Sequence, residues 1–516
     1  MRARAAESAG ASALGEYRAA LALAPDDAVL AARAMEEAIA GGDRALALKA
    51  VAILEAADKM TIDAQILLLG EAFRKKDWRG ASRRIDAIEA TEAFAFLVPT
   101  LRAWRAQGEG GSDPLTYLAA DNVVATAYSA EQRPLILFAQ GKSRDGLAAL
   151  APLLAQAGTR GARLRIASAA ALARRGAKAE ALALLEGDAE ALAAARRLVE
   201  AGRRLPGEIA TPNQGMAELL IRVAIDLSAQ NIDSLAIQFA RLATFLAPEN
   251  SEGWIVAAEL LSEDGDTRAA LAALARVSAA DPFAGLAGDS RIDLLYESGK
   301  PEEALAVARA ATAAAPDAAT GWARLGDLLA RMQRHGDAAE AYGKALAIAR
   351  GGGGSVQQEW ALLLLQGGAL VQAGRWPEGR DALRASLRLA PDQAVVLNYL
   401  GYSLLERREE VAEAERLIRE ANRLQPDNYA IVDSLGWAHY LRGDYLKAIE
   451  LLERAAQGQP SDPAIKEHLG DAYFQAGRRY EARYAWSAAL IHAEGNAARR
   501  IGAKVEKGLR PELGAP

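Results

Sequence analysis

The 516 residues include no cysteine. Disulfides, thiolate catalysis and cysteine-ligated metal are therefore excluded, and a cysteine-linked lipid has no attachment point in this chain. No run of 18 or more apolar residues occurs, so no membrane-spanning helix is expected. The longest candidate, Trp360–Gly374, is broken by Gln366, Gly367 and Gly368. Basic excess is also missing. Lys and Arg number 61 against 67 Asp and Glu, a net charge of −6, which argues against nucleic acid as a partner. The opening MRARAAESAGASALGEY lacks an apolar core, so no export signal is read and the default location is cytoplasmic. Aromatics are only 6% and Pro only 18 residues.

What is abundant is alanine, leucine, arginine and glutamate, the strongest helix formers. They recur with a fixed period. Gly367, Gly401, Gly436 and Gly470 are spaced by 34, 35 and 34 residues, and Pro248, Pro282 and Pro316 by 34 and 34. Each unit reads alike. An LG pair lies in a first helix, a turn glycine (Gly443, Gly477) follows, and a small residue (Ala414, Ala448, Ala482) stands in a second helix. Proline then stops the chain, and a following Asp, Asn or Ser caps the next helix. Gly facing Ala at the crossing lets two antiparallel helices approach closely.

These motifs resemble tetratricopeptide repeats. YAIVDSLGWAHYLRGDYLKAIELLERAAQGQP (Tyr429–Pro460) follows that family's pattern almost throughout. The resemblance implies an all-α, right-handed α-solenoid of antiparallel helix pairs, a superhelix whose pairs stack in single file from one terminus to the other. It divides the chain into N-terminal repeats over 1–90, degenerate helical repeats over 91–215 and central repeats over 216–350. A Gly-rich loop insertion at 351–358 follows, since Pro316 to Pro391 is two periods plus seven residues. Regular C-terminal repeats fill 359–490, and a capping helix and tail fill 491–516, with Ile501, Val505 and Leu509 on one stripe. At the other end, EYRAALALAPDD reads as a second helix ending at Pro25. Its first helix runs off the chain, which points to a true start upstream of Met1 and, in that case, a periplasmic or envelope location.

At about 100° per residue, the positions −6, −3, +1, +4 and +5 from each LG glycine lie opposite the packing face. In a stacked array they line the concave groove, where this family usually binds peptides. The groove set of the last three repeats is Asn398, Tyr402 and Glu406; Asp433, Trp437 and Tyr440; and Glu467, Asp471 and Phe474, with Tyr402, Asp433, Trp437, Tyr440 and Asp471 placed first. Eight of the 13 tyrosines fall between Tyr399 and Tyr484. Aromatic anchors beside carboxylates are the material of binding hot spots and fit a protein or peptide carrying basic and apolar anchor residues. The family's known clamp for a terminal carboxylate uses Lys, Arg and Asn, so the acidic face departs from it.

Catalytic and cofactor motifs are not found. AQGKSRDG (Ala139–Gly146) lacks the first glycine of a phosphate loop, Ile136 standing in its place. The histidines His335, His439, His468 and His492 form no metal motif, and His439 is read as a buried, hydrogen-bonded core residue. The expected function is therefore a non-enzymatic protein-binding scaffold or adaptor, with no cofactor and no metal. The phrasing of the last 120 or so residues resembles bacterial envelope tetratricopeptide proteins, some of which serve as adaptors for carboxyl-terminal processing proteases. That implies such a protease or an envelope assembly component as partner. Two rival readings are an enzyme site within 91–215 and a structural element that self-assembles through its ends.

Overall fold

The computed structural model describes residues 14–119, 122–155, 160–187, 189–352 and 356–514. Among them are 28 α-helices, a few 3-10 turns and no strand. The fold is an all-α solenoid of helix pairs, and no helix among the described residues is long and apolar enough to cross a membrane. The chain divides into two compact units, Met1–Val307 and Ala308–Pro516. The reading that places the start upstream of Met1 concerns residues outside those described.

In the second unit each helix packs on the next in sequence, and the first helices Ala394–Glu406, Tyr429–Leu441 and Pro463–Gln475 also pack on one another. The local chemistry is the one the repeat dictates. Asp462 caps Pro463–Gln475 by accepting from the backbone N–H of Ala464 (2.8 Å) and Ile465 (3.2 Å). Gly443 ends a first helix at φ 81°, a left-handed conformation that a side chain would strain. At the crossing, a Cβ on Gly401 would stand 2.9 Å from the Ala414 carbonyl oxygen and 2.7 Å from Ile418. Glycine is therefore what lets Ala394–Glu406 seat against Val411–Leu424.

The seven extra residues between Pro316 and Pro391 do not all form a loop. The helices His335–Gly351 and Val356–Gln372 have 17 residues each, against 13 and 14 in Ala394–Glu406 and Val411–Leu424. Most of the insertion is thus taken up as an added helical turn on either side. Gly353, Gly354 and Ser355 lie outside the described residues.

The first unit departs from the single-file expectation. Pro212–Ser228 packs on Ile62–Lys75, Val98–Glu109 and Val123–Ala139, while Asp233–Leu246 packs on Ala28–Gly41 and Ile62–Lys75. Small residues and a buried cation make this return possible. Gly70, in the Leu69–Gly70 pair of Ile62–Lys75, receives Leu246, whose Cδ2 would lie 2.1 Å from an added Cβ. Gly215 receives the Trp104 indole. The side chains of Arg241 and Gln238 donate to the carbonyls of Ile39 (3.3 Å) and Glu36 (3.0 Å) toward the C-terminal end of Ala28–Gly41. Burial, with Arg276 nearby, outweighs the opposing charge of Asp266 and pulls the Arg241 guanidinium down to about 10.

A second feature ties this unit together. Glu218 is wholly buried and accepts from Arg163 (3.1 and 3.2 Å), Arg160 and Asn250 (3.3 Å). Arg160 also meets Glu131 and Glu252, and Arg222 meets Glu131 at 3.2 Å. Three carboxylates and three guanidiniums thereby join four helices through their interior. Residues 91–215, where a catalytic site is one rival reading, are helical wherever they have regular structure among the described residues.

Candidate functional site

The nine sequence-predicted groove residues sit on the three first helices of the last repeats, and the structure places them in two different settings. Asn398, Tyr402 and Glu406 follow one another at i, i+4 and i+8 on Ala394–Glu406 and so share a face. Asn398 and Tyr402 are half-buried and Glu406 is exposed. Tyr440 and Phe474 are also half-buried. Asp433, Trp437, Glu467 and Asp471 are instead buried, at 7%, 2%, 2% and 0% exposure. The sequence projection treats each helix alone and sets these four on an open wall. In the folded unit they form a floor, because side chains from the next repeat and from the terminal helix Gly495–Lys507 cover them.

The covering residues are ones the sequence reading left out. His468 Nδ1 donates to both Asp433 oxygens (2.9 and 3.0 Å), and its ring stacks on Trp437 at 4.2 Å. Trp437 stacks in turn on Tyr440 at 4.3 Å and 10°. At the far end, Lys504 is wholly buried and donates to Glu467 (2.6 Å) and to both Asp471 oxygens (2.8 Å). Arg500 forks onto Glu467 at 2.8 and 2.7 Å, and the Trp486 indole N–H donates to Asp471 at 2.9 Å. The signal for His468 was in the repeat itself: it stands two residues before Gly470, and Asp433 three before Gly436. Adjacent first helices bring those two offsets together. The expectation of a buried core histidine falls on the wrong residue. His439 is half-buried and pairs at 3.2 Å with exposed Asp444, whereas His468 is the buried one.

The charges of this floor set its titration. Burial raises the Glu467 carboxyl, but Arg500 and Lys504 outweigh it and hold the group below its ordinary value. Burial, with the carboxylates of Glu406, Asp433 and Glu467 nearby, pushes the Tyr402 phenol up. Burial and Asp471 push Tyr440 up to about 12. His468 is the physiologically relevant case. Burial pulls its imidazole down, yet Asp433, with Asp471 and Glu467 behind it, holds the imidazolium above its ordinary value. A raised histidine stabilises the fold fully below the unfolded value near pH 6.5, and that stability is lost as pH rises through the folded value. We expect the second unit to weaken as pH rises from about 6.5 through the raised folded value of His468. Urea midpoints followed by tryptophan fluorescence should fall across that window, and Asp433→Asn should flatten the dependence. A midpoint that rises with pH would show that His468 is neutral in the folded chain.

Among the described residues there is no group of three or more His, Cys, Asp or Glu side chains able to hold a metal ion. The Asn398 Oδ1 atom is buried yet accepts no hydrogen bond. Glu406 lies 3.5 Å from its neighbour Arg407, and burial raises its carboxyl while Arg407 and His468 lower it.

Residues 290–353, 364–429 and 434–498 match the tetratricopeptide repeat family. These matched segments fall chiefly in the second unit, and tetratricopeptide repeats serve generally as scaffolds for protein–protein interaction and are typically non-enzymatic. A tetratricopeptide-repeat-containing protein of Pseudomonas aeruginosa is 42% identical over 89 residues, 17% of this chain. The chain spans 15% of that relative's length. A crystal structure of a tetratricopeptide repeat protein from Parabacteroides merdae aligns with 50% of this chain and 97% of its own, at 14% identity and TM-score 0.41. The pilF structure of Pseudomonas aeruginosa aligns with 43% of this chain and 97% of its own, at 20% identity and TM-score 0.35.

Proposed function

We propose that the second unit is a docking scaffold that seats a basic, partly apolar segment of a partner protein against Asn398, Tyr402, Glu406, Tyr440 and Phe474. The observation that carries this reading is that half-buried Asn398 and Tyr402 share one helix face with exposed Glu406. The chain's own chemistry supports a cationic ligand. Where the acidic row continues to Glu467 and Asp471, Arg500 and Lys504 already occupy it. The buried His468 and Trp437 rings stacked beneath half-buried Tyr440 hold it in place, so it needs no ordering on binding. The buried residues Asp433, Trp437, Glu467 and Asp471 then shape the floor rather than touch the partner.

The partner class we favour is a cell-envelope assembly component or a carboxyl-terminal processing protease, supported by the resemblance of the last repeats to envelope adaptors. The test uses a photo-crosslinking amino acid at Tyr402 or Phe474, with Tyr484, 81% exposed on a second helix, as control. The first two positions should trap one common protein and the control should not. Glu406→Lys and Tyr440→Ala should each weaken that complex about tenfold or more, roughly 1.4 kcal/mol. If neither variant changes the complex, the groove is not its seat.

A further inference from the structure

We infer that the first unit holds a second docking site, a half-open apolar cavity that takes a protein segment with a large apolar anchor and an adjacent basic residue. The cavity measures about 730 Å³ and is lined chiefly by Phe94, Phe96, Tyr128, Val124, Leu227 and Ile232. It lies outside the C-terminal groove and does not depend on that reading.

The turn after Trp78–Glu89 builds it. Glu92 takes a left-handed φ of 51°, and the Thr91 hydroxyl donates to the Ile88 carbonyl at 2.6 Å. The chain is thereby turned so that Phe94 and Phe96 meet at 6.0 Å. Phe96 stacks on Tyr128 at 5.2 Å, and buried Phe239 backs Phe94 at 5.8 Å. Phenylalanine is scarce here, eight residues in 516, and three of the eight converge on this one place. Phe94 and Phe96 are nonetheless only half-buried. Leaving such rings in water forgoes roughly 25 cal/mol for each Å² that a ligand could cover.

The rim says what covers them. Apolar surface continues past the mouth through Val123 (86% exposed), Val124 (51%) and Ile232 (44%), farther than a small molecule confined to the cavity would reach. The polar edge is acidic. Asp226 is already held by the Tyr128 hydroxyl (2.6 Å) and by Arg222 (2.9 Å). Glu92 is exposed, and its carboxylate has no ion-pair partner among the described residues. That pattern repels a fatty-acid carboxylate and attracts Lys or Arg beside the anchor. A volume of this size accepts one or two large side chains.

The experiment is selection of displayed random peptides on the full chain, followed by affinity measurement with the synthetic winners. They should share an aromatic or branched anchor next to Lys or Arg. Ile232→Ser and Val124→Ser alter only exposed rim positions and should leave the melting temperature unchanged while weakening binding tenfold or more. Phe96→Ser should abolish binding, and Glu92→Lys should shift selection toward acidic flanks. Equal binding to the rim variants overturns the inference. So does a loss that follows Glu406→Lys or Tyr440→Ala instead, which would report the C-terminal groove. Recovery of no peptide, while an apolar dye still binds and is lost in Phe96→Ser, would overturn it in favour of a small-molecule cavity.

Discussion

Replacing Glu218 with alanine is expected to destabilise the first unit by about 3–5 kcal/mol. The side chain is wholly buried between Arg160 and Arg163, themselves 8% and 3% exposed. Removing it leaves two buried guanidiniums sharing Glu131 and Glu252, which lie on other helices. Burial alone would raise the Glu218 carboxyl, but Arg163 and Arg160 outweigh that and hold it down. A depressed carboxyl contributes stability above its unfolded value near pH 4.3 that is lost as pH falls through the folded value, so the penalty should shrink in acid. Calorimetry on the full chain should show one transition moving and another holding, because the units are separately compact. Adding Arg163→Ala to Glu218→Ala should cost less than the sum of the two single changes, since both belong to one network. A single-variant effect below about 1 kcal/mol would mean that water or the neighbouring carboxylates already neutralise the site.

Lys504→Met should produce the second large effect, a loss of about 3 kcal/mol confined to the end of the second unit. The ammonium is the bond between the terminal helix and two carboxylates, and it is as buried as the tryptophan beside it. Without it Glu467 keeps Arg500, but Asp471 loses the ammonium while keeping the Trp486 N–H. Ile501 then loses its seat against Ala482, Trp486 and Ala489. In a stacked array the damage should spread inward one repeat at a time rather than unfold the whole. Amide exchange should therefore quicken most in Pro463–Gln475 and Arg479–Leu490, less in Tyr429–Leu441, and not measurably in the first unit. Adding Asp471→Asn should restore part of the loss, because it removes the stranded charge yet keeps an acceptor for Trp486. If exchange quickens evenly along the chain, the terminal helix is not a local clasp.

The helical array was legible because its cause is local. Glycine at the crossing, proline at the stop and aspartate at the cap act within one unit, and 34 residues suffice to display them. The capping stripe of Ile501, Val505 and Leu509 was readable for the same reason, and Ile501 is wholly buried while Val505 and Leu509 pack against the Trp486 cluster. The site was only half legible. A single-helix projection finds Tyr402 and Glu406, but it cannot know that His468 will lie over Trp437 or that Lys504 will rise from another helix to neutralise Asp471. Those pairings are properties of adjacency, not of spacing. The return of Pro212–Leu246 in the first unit was not legible at all. Gly70 reads the same whether it faces its own hairpin or Leu246 far along the chain.

That return has a consequence for synthesis. The Gln238–Glu36 and Arg241–Ile39 hydrogen bonds each join residues 202 positions apart. A ribosome adding about 5–20 residues per second needs on the order of 10–40 seconds to supply the second partner. During that interval the nascent helices from Ala28 to Lys75 carry an apolar flank that nothing yet covers. The hairpins of the second unit find their partners within the same or the next repeat, as in the 35-residue span from Asp433 to His468. Emergence of the first unit is therefore the stage at which a nascent-chain chaperone has something to hold.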